Sequence, residues 1–198
     1  MKQYQAVNVV MHETELDGKP VLHVIKPLEN LVADTDTYAK LADRDFHNGT
    51  ICVRMYSDLQ KGAPDYSRGF IGIVFRVNET DSEFESFYVR PTNGRHPDPI
   101  RRSHGSQYFS YPGYTFDYFR KHGITSYEAP IDAGLKEWID LKAIIHDDHG
   151  EFYVNDMEKP VLVVDGFKHG PDAKGAVGLY VDIGTDAYFE DLQIDYED

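Results

Sequence analysis

The sequence is poor in cysteine, tryptophan and positive charge. It has 1 cysteine and 1 tryptophan in 198 residues, and its 20 Lys and Arg are outnumbered by 34 Asp and Glu. A single cysteine excludes an intramolecular disulfide. The formal net charge of -14 argues against nucleic acid as a partner, because phosphate binding needs clustered basic residues. An acidic surface also suits a neutral ligand, such as a sugar, better than a polyanion.

Long apolar runs are missing too. None approaches the ~20 residues of a membrane span, so no membrane partner is predicted. The N-terminal MKQYQAVNVV is followed at once by His12 and Glu13, and is too short and polar for a signal peptide. The default expectation is a cytoplasmic protein, with a trimmed export signal as the open alternative. The oligomeric state is left open by the sequence.

Aromatic residues and turn signals are abundant. The 14 Tyr and 11 Phe favour strands, and turns such as Asp17-Gly18 and Asn48-Gly49 recur between short β-branched or aromatic runs. Short helices are indicated at Thr37–Ala42 and Tyr114–His122. The pattern predicts an all-β, two-sheet antiparallel β-sandwich forming one domain over residues 1–198. The predicted strands are Pro20–Ile25, Gly49–Tyr56, Gly69–Asn78, Phe84–Arg90, Ser106–Phe109, Trp138–Asp147, Glu151–Val154, Val161–Asp165, Ala176–Asp182 and Tyr188–Tyr196.

The segment 68–94 is predicted to form a hairpin whose two faces differ. One face is apolar, and strand alternation assigns four polar residues to the other, namely Arg68, Arg76, Tyr88 and Arg90. Burying an arginine costs free energy unless it is paired or faces a ligand. The hairpin therefore predicts a polar binding face. The alternative is that the arginines pair with acids such as Glu83 or Glu85 and brace the sheet.

A long polar loop, Pro91–Tyr114, follows this hairpin. Loops of this length in a compact domain are often functional. Its amides and rings are suited to holding a pyranose, and the candidates are Asn93, His104, Gln107, Tyr108, Tyr111 and Tyr114. The alternative is a packed surface loop with Tyr–Pro turns. Arg101-Arg102 is expected to be a solvated basic pair rather than a phosphate site.

Two carboxyl groups are candidates for catalysis. Glu128 lies between Tyr127 and Ala129-Pro130, which could shield it and suit it to general acid or base chemistry. Asp182 shares a strand face with Tyr180. Because glycoside cleavage normally needs two carboxyl groups, Glu128 and Asp182 form the candidate pair. The alternative is that both are ordinary hydrogen-bond partners.

The sequence has no motif typical of a catalytic metal site or of a nucleophilic cysteine. The 9 histidines show no HExxH or Cys/His spacing, so neither a catalytic metal nor a required cofactor is predicted. Structural calcium stays open, with Asp182, Thr185 and Asp186 as the candidate ligands. Cys52 is expected to be a packed thiol rather than a nucleophile, and Trp138 is expected in the core.

Four segments together resemble the concanavalin A-like lectin/glucanase superfamily, a jelly roll of two curved sheets. They are FHNGTICVRM, RGFIGIVFRV, EWIDLKAIIHDDHGEFYVND and GAVGLYVDIGTDAYFEDLQI. FESFYVRPTNGR and SQYFSYPGYTFDYFR further resemble the domain-of-unknown-function branch related to 3-keto-disaccharide hydrolases. The resemblance implies a saccharide bound on the concave sheet. The ExDxxE motif of the superfamily's glucanases does not occur here, which argues against their retaining chemistry.

The combined expectation is a carbohydrate-recognising domain. Its predicted ligand contacts are Arg76, Tyr88, Arg90, Asn93, His104, Gln107, Tyr108 and Tyr180. The first alternative is a glycoside hydrolase of the 3-keto-glycoside type that uses Glu128 and Asp182. The second is a structural or protein-interaction module.

Overall fold

Two antiparallel sheets make up the fold in the computed structural model, which describes residues 2–197. The strands are β1 (Tyr4–Val7), β2 (Val10–Leu16), β3 (Lys19–Ile25), β4 (Tyr38–Leu41), β5 (Asn48–Leu59), β6 (Ile71–Val77), β7 (Phe84–Val89), β8 (Ser106–Tyr111), β9 (Glu128–Ala129), β10 (Trp138–His146), β11 (His149–Val154), β12 (Leu162–Asp165), β13 (Ala176–Val181) and β14 (Thr185–Glu197). The helices are short: α1 (Pro91–Gly94), α2 (Pro99–Ser103) and α3 (Phe116–Lys121). Sheet A has the order β1-β4-β13-β6-β7-β8-β9, and sheet B has the order β12-β11-β10-β5-β14-β3-β2. The predicted all-β sandwich is confirmed.

Strand alternation builds the core between the sheets. In β5, Ile51, Val53 and Met55 are buried while the residues between them are half-buried, as expected for a strand with one face inward. From sheet A, Phe87 stacks on Phe152 of sheet B with ring centroids 4.4 Å apart. Fully burying side chains of this size stabilises the fold by about 1.5–3 kcal/mol each.

Sheet A is buried on both of its faces at the centre. Every residue of β6 and β7 is buried, because residues 26–37, here called the covering segment, lie over the outer face together with α3. Asp34 of this segment accepts hydrogen bonds from the Tyr88 hydroxyl at 2.9 Å and from the backbone N–H of Phe116 at 2.7 Å. The covering segment therefore bridges the sheet and the start of α3.

The short helical patterns had different outcomes. Tyr114–His122 contains α3, which confirms that helix. The helix predicted at Thr37–Ala42 is wrong, because Tyr38–Leu41 forms β4 and pairs with β1 and β13. In so short a segment, pairing with neighbouring strands outweighs local propensity. Sequence patterns also missed β1 and β2.

A β-bulge in β6 changes the direction of Arg76. Val74 pairs with Gly178 and Val77 pairs with Ala176, so Phe75 and Arg76 together oppose one residue. Arg76 adopts the left-handed backbone conformation, with φ of 56°. Its guanidinium donates to the carbonyl oxygens of His47 at 2.8 Å and Asp147 at 2.6 Å. The prediction that Arg76 shares a face with Tyr88 and Arg90 is therefore wrong.

No helix within residues 2–197 has both the length and the apolar character needed to cross a membrane.

Candidate functional site

A cavity of about 510 Å³ opens on the outer face of sheet A, between the covering segment and helices α1 to α3. Its volume lies within the range of small-molecule sites. The walls combine aromatic rings, guanidinium groups and carboxylates, among them Tyr66, Phe70, Tyr88, Arg90, Phe116 and Asp182. We call this the sheet A cavity.

One wall residue of the cavity, Asp182, belongs to a buried ion pair. Lys26 Nζ lies 2.7 Å from Asp182 Oδ1, and the two side chains are 0% and 2% exposed. Asp182 Oδ2 also accepts from the Tyr180 hydroxyl at 2.8 Å and from the backbone N–H of Asp34 at 3.0 Å. Asp182 thus attaches the covering segment to the end of β13. Such a pair is tolerated because additional hydrogen bonds satisfy the carboxylate.

Asp34 is a second buried carboxyl group in the cavity wall. Burial, together with the nearby charge of Asp182, raises the pKa of Asp34 to about 7. A carboxyl group that titrates near neutral pH can either donate or accept a hydrogen bond to a ligand hydroxyl. Perturbed groups of this kind in a cleft are candidates for a functional site.

Arg90, at the start of α1, is held rigidly beside these acids. Its Nη2 donates to the Tyr88 hydroxyl at 2.9 Å and to Gln107 Oε1 at 3.1 Å. Its Nη1 donates to the His104 carbonyl at 3.1 Å and lies 3.4 Å from Glu128 Oε1. Only 4% of the residue is exposed. Arg90 is therefore oriented before any ligand arrives.

Glu128, on the edge strand β9, pairs with two arginines of the cavity wall, Arg90 and Arg120. It accepts from Arg90, from Arg120 Nη2 at 2.8 Å and from His104 Nδ1. Its side chain is 9% exposed, and Glu128 is not among the residues that line the cavity. Its contacts make it a supporting group for Arg90.

The structure brings together most of the residues selected from sequence. Tyr88, Arg90, Asn93, His104 and Asp182 line the cavity. Gln107, Glu128 and Tyr180 lie behind that lining and hydrogen-bond to it. The catalytic pairing of Glu128 with Asp182 stays a prediction.

Tyr108 is placed differently from the prediction. In the β7–β8 pair, Gln107 is opposite Tyr88 and Tyr108 is opposite Phe87. Since successive strand residues face opposite sides, Gln107 and Tyr108 cannot share a face. Tyr108 points into the sandwich, where its hydroxyl donates to Glu85 Oε2 at 2.7 Å.

Several cavity residues were missed by sequence reasoning. Asp34 and Tyr66 line the cavity but lie in segments without a recognisable motif, and Phe116 was noted only as part of a helix. Lys26, which pairs with the wall residue Asp182, was missed for the same reason. Arg101 was interpreted as solvated, which is wrong, because it is half-buried and lines the cavity. The signal for Arg101 was its place in the long polar loop.

The candidate calcium ligands have separate partners. Asp182 pairs with Lys26, Thr185 Oγ1 donates to the Phe70 carbonyl at 3.1 Å, and Asp186 pairs with His23. Among residues 2–197, no group of three or more His, Cys, Asp or Glu side chains could hold a metal ion.

The lone thiol is poorly suited to attack a substrate. Cys52 is half-buried, and burial raises the pKa of its thiol. A raised pKa reduces the thiolate fraction that a nucleophile needs.

A second surface with aromatic character lies on the outer face of sheet B. Trp138, Tyr56, Tyr188 and His23 occupy paired positions on four adjacent strands. Their consecutive ring centroids are 5.6, 6.0 and 4.6 Å apart. Trp138 is half-buried here, so its predicted place in the core is wrong. Its neighbour Ile139 takes the inward position. We call these residues the sheet B aromatic row.

Comparisons with known proteins place the fold. Neither a protein-family model nor a curated protein matches the sequence. Carbohydrate-binding module CBM66 from Bacillus subtilis is a similar solved structure, with 15% identity, 97% of this chain and 94% of that chain covered, and a TM-score of 0.64. A putative glycosyl hydrolase from Parabacteroides distasonis gives 13% identity, coverage of 98% and 88%, and a TM-score of 0.56. A Bacillus subtilis protein of unknown function with a galectin-like fold is 13% identical, with 99% of this chain and 98% of that chain covered and a TM-score of 0.52. The chain therefore shares a two-sheet jelly-roll fold with these proteins.

Proposed function

We propose that the chain is a carbohydrate-binding domain that holds a saccharide in the sheet A cavity. The observation that carries this proposal is that aromatic rings and rigid hydrogen-bonding groups line the same cavity. A sugar ring presents apolar C–H faces and polar hydroxyl edges, so its site needs both kinds of group. The likeness of the fold to that of a carbohydrate-binding module supports the proposal of saccharide binding.

Apolar side chains at the cavity mouth are unusually exposed. Tyr66, Leu31 and Ile100 are 50%, 54% and 70% exposed, and all three line the cavity. Deeper in the wall, the Phe116 ring lies under the guanidinium groups of Arg90 and Arg120, at 5.8 and 5.1 Å from its centroid. The exposed ring of Tyr66 is suited to stack on a sugar face, and the aliphatic side chains of Leu31 and Ile100 are suited to exclude water from it.

The polar groups of the cavity are already positioned by internal contacts. Arg90, Asp34 and Asp182 are each at most 4% exposed and each hydrogen-bonded to the protein. A site that is ordered before binding loses less conformational entropy when the ligand arrives. This rigidity favours recognition of one ligand geometry.

Binding without turnover explains the carboxylates better than hydrolysis does. Asp182 accepts from Lys26, from the Tyr180 hydroxyl and from the backbone N–H groups of Asp34 and Ile183. A nucleophile or acid would have to give up such contacts. The cavity volume of about 510 Å³, within the range of small-molecule sites, favours a small ligand over the protein-interaction alternative.

Replacing Tyr66 with Ala is expected to weaken saccharide binding roughly tenfold, because an aromatic contact contributes about 0.5–1.5 kcal/mol beyond its buried area. A mixed oligosaccharide panel would identify the best ligand, and calorimetry would then give the Kd of each variant. Tyr114→Ala is the matched control, since Tyr114 is 37% exposed and lies outside the cavity. Equal affinity of Tyr66→Ala and the unaltered protein would contradict stacking at this position.

A further inference from the structure

The sheet A cavity concentrates positive charge in a protein of net charge -14. Four of its wall residues are arginines, namely Arg68, Arg90, Arg101 and Arg120. Glu128 neutralises Arg90 and Arg120. The two remaining arginines, Arg68 and Arg101, have no such carboxylate partner among residues 2–197.

Arg68 and Arg101 form no ion pair with a carboxylate of residues 2–197. Arg68 Nη1 donates to the carbonyls of Asp65 and Ser67 at 2.9 and 3.0 Å. Arg101 donates through Nε to Asn93 Oδ1 at 2.7 Å and through Nη2 to Thr92 Oγ1 at 3.0 Å. Within the described residues, Nε and Nη2 of Arg68 and Nη1 of Arg101 are left without an acceptor.

The two unpaired guanidinium groups also repel each other. Burial, followed by the charges of Arg101 and Arg90, lowers the pKa of Arg68. The three carboxyl groups of the cavity wall have other partners. Asp182 pairs with Lys26, and Asp34 accepts hydrogen bonds from Tyr88 and Phe116. Asp98 accepts from the backbone N–H of Ile100 at the start of α2. A ligand anion beside Arg68 and Arg101 would relieve this repulsion.

We propose that the saccharide taken by this cavity carries a carboxylate, as a hexuronic acid does, and that Arg68 and Arg101 bind it. The inference rests on the proposed function and names its ligand class. A planar guanidinium matches a carboxylate with two parallel hydrogen bonds. The acids elsewhere in the wall and the acidic surface select against a ligand with many negative charges.

Matched ligands test this proposal on the unaltered protein. The probes are otherwise neutral oligosaccharides that end in a single glucuronic, galacturonic or mannuronic acid residue, their methyl esters, and the neutral hexose counterparts, each titrated by calorimetry. We expect at least one acid to bind tenfold or more tightly than its own ester, with the difference shrinking at high salt because charge attraction is screened.

Substitutions locate the effect. Arg68→Met and Arg101→Met should each lower the acid-to-ester affinity ratio by about tenfold, bringing it close to one, as expected for the loss of a hydrogen bond to a charged group. Arg102→Met is the matched control. Arg102 neighbours Arg101 on α2, but it donates to the His96 and Pro97 carbonyls and lies outside the cavity wall. Its acid-to-ester ratio should match that of the unaltered protein.

The contrary outcomes are distinguishable. Equal affinity for acids and esters would overturn the carboxylate inference and leave saccharide binding standing. Failure of every acid, ester and neutral sugar to bind would overturn both proposals. If acetate or inorganic phosphate alone competed as strongly as the sugar acids, the site would be an anion site and the saccharide assignment would fail.

Discussion

Replacing Lys26 with Met is expected to lower the free energy of unfolding by about 3–5 kcal/mol, because it leaves the Asp182 carboxylate buried without its cation. Lys26 Nζ and Asp182 Oδ1 are 2.7 Å apart and shielded from solvent. For a chain of this length, the loss corresponds to a decrease in Tm of roughly 10 °C. Urea denaturation and calorimetry measure both quantities.

Two further variants separate the ion pair from general effects of the substitution. Lys121→Met removes a lysine whose pair with Asp117 is 70% and 56% exposed, so its cost should stay within about 0.5 kcal/mol. The double variant Lys26→Met with Asp182→Asn should lose less free energy of unfolding than the sum of the two single variants. In the double variant, no buried charge is left without its partner. Equal losses for Lys26→Met and Lys121→Met would contradict the buried pair.

Replacing Asp34 with Asn is expected to change how stability depends on pH. The pKa of Asp34 is raised from its ordinary value of 3.8 to about 7, chiefly by burial. The folded protein therefore holds a proton that the unfolded chain releases near pH 4. This contribution to stability is fully present below about pH 4 and is lost as the pH rises to about 7.

The size of the effect follows from the shift. About three pKa units correspond to about 4 kcal/mol, so the stability of Asp34→Asn relative to the unaltered protein should rise by about that amount between pH 4 and pH 8. Asn tolerates the left-handed backbone of position 34, where φ is 49°. Asp17→Asn, at an exposed position with φ of 53°, controls for the backbone. Urea midpoints across this range provide the measurement, and a stability difference independent of pH would contradict the raised pKa.

The fold was accessible from sequence because its signals are local. The two-residue period of strands such as β5 and β10, bounded by turn residues, predicts the sandwich directly. The failures occur where local signals conflict with pairing. Tyr38–Leu41 has too few residues to separate helix from strand, and the bulge at Arg76 leaves no mark in the apolar alternation.

Part of the candidate site could be predicted from the sequence in the same way. Tyr88 and Arg90 were found because an apolar hairpin face makes its polar face conspicuous. Asp34 and Lys26 were not, because they meet Asp182 across 148 and 156 residues of sequence. Their importance comes from tertiary contact, which no local pattern encodes.

The central claim is that the sheet A cavity binds a saccharide, and an NMR titration of ¹⁵N-labelled protein with the oligosaccharide panel tests it most directly. Saccharide binding in this cavity should shift the side-chain Nε–H signals of Arg68, Arg90 and Arg101. The indole N–H of Trp138, the sole tryptophan, should stay unchanged because it lies in the sheet B aromatic row. Saccharide-induced shifts at Trp138, with the signals of the cavity arginines unchanged, would contradict binding in the sheet A cavity and place the site on sheet B.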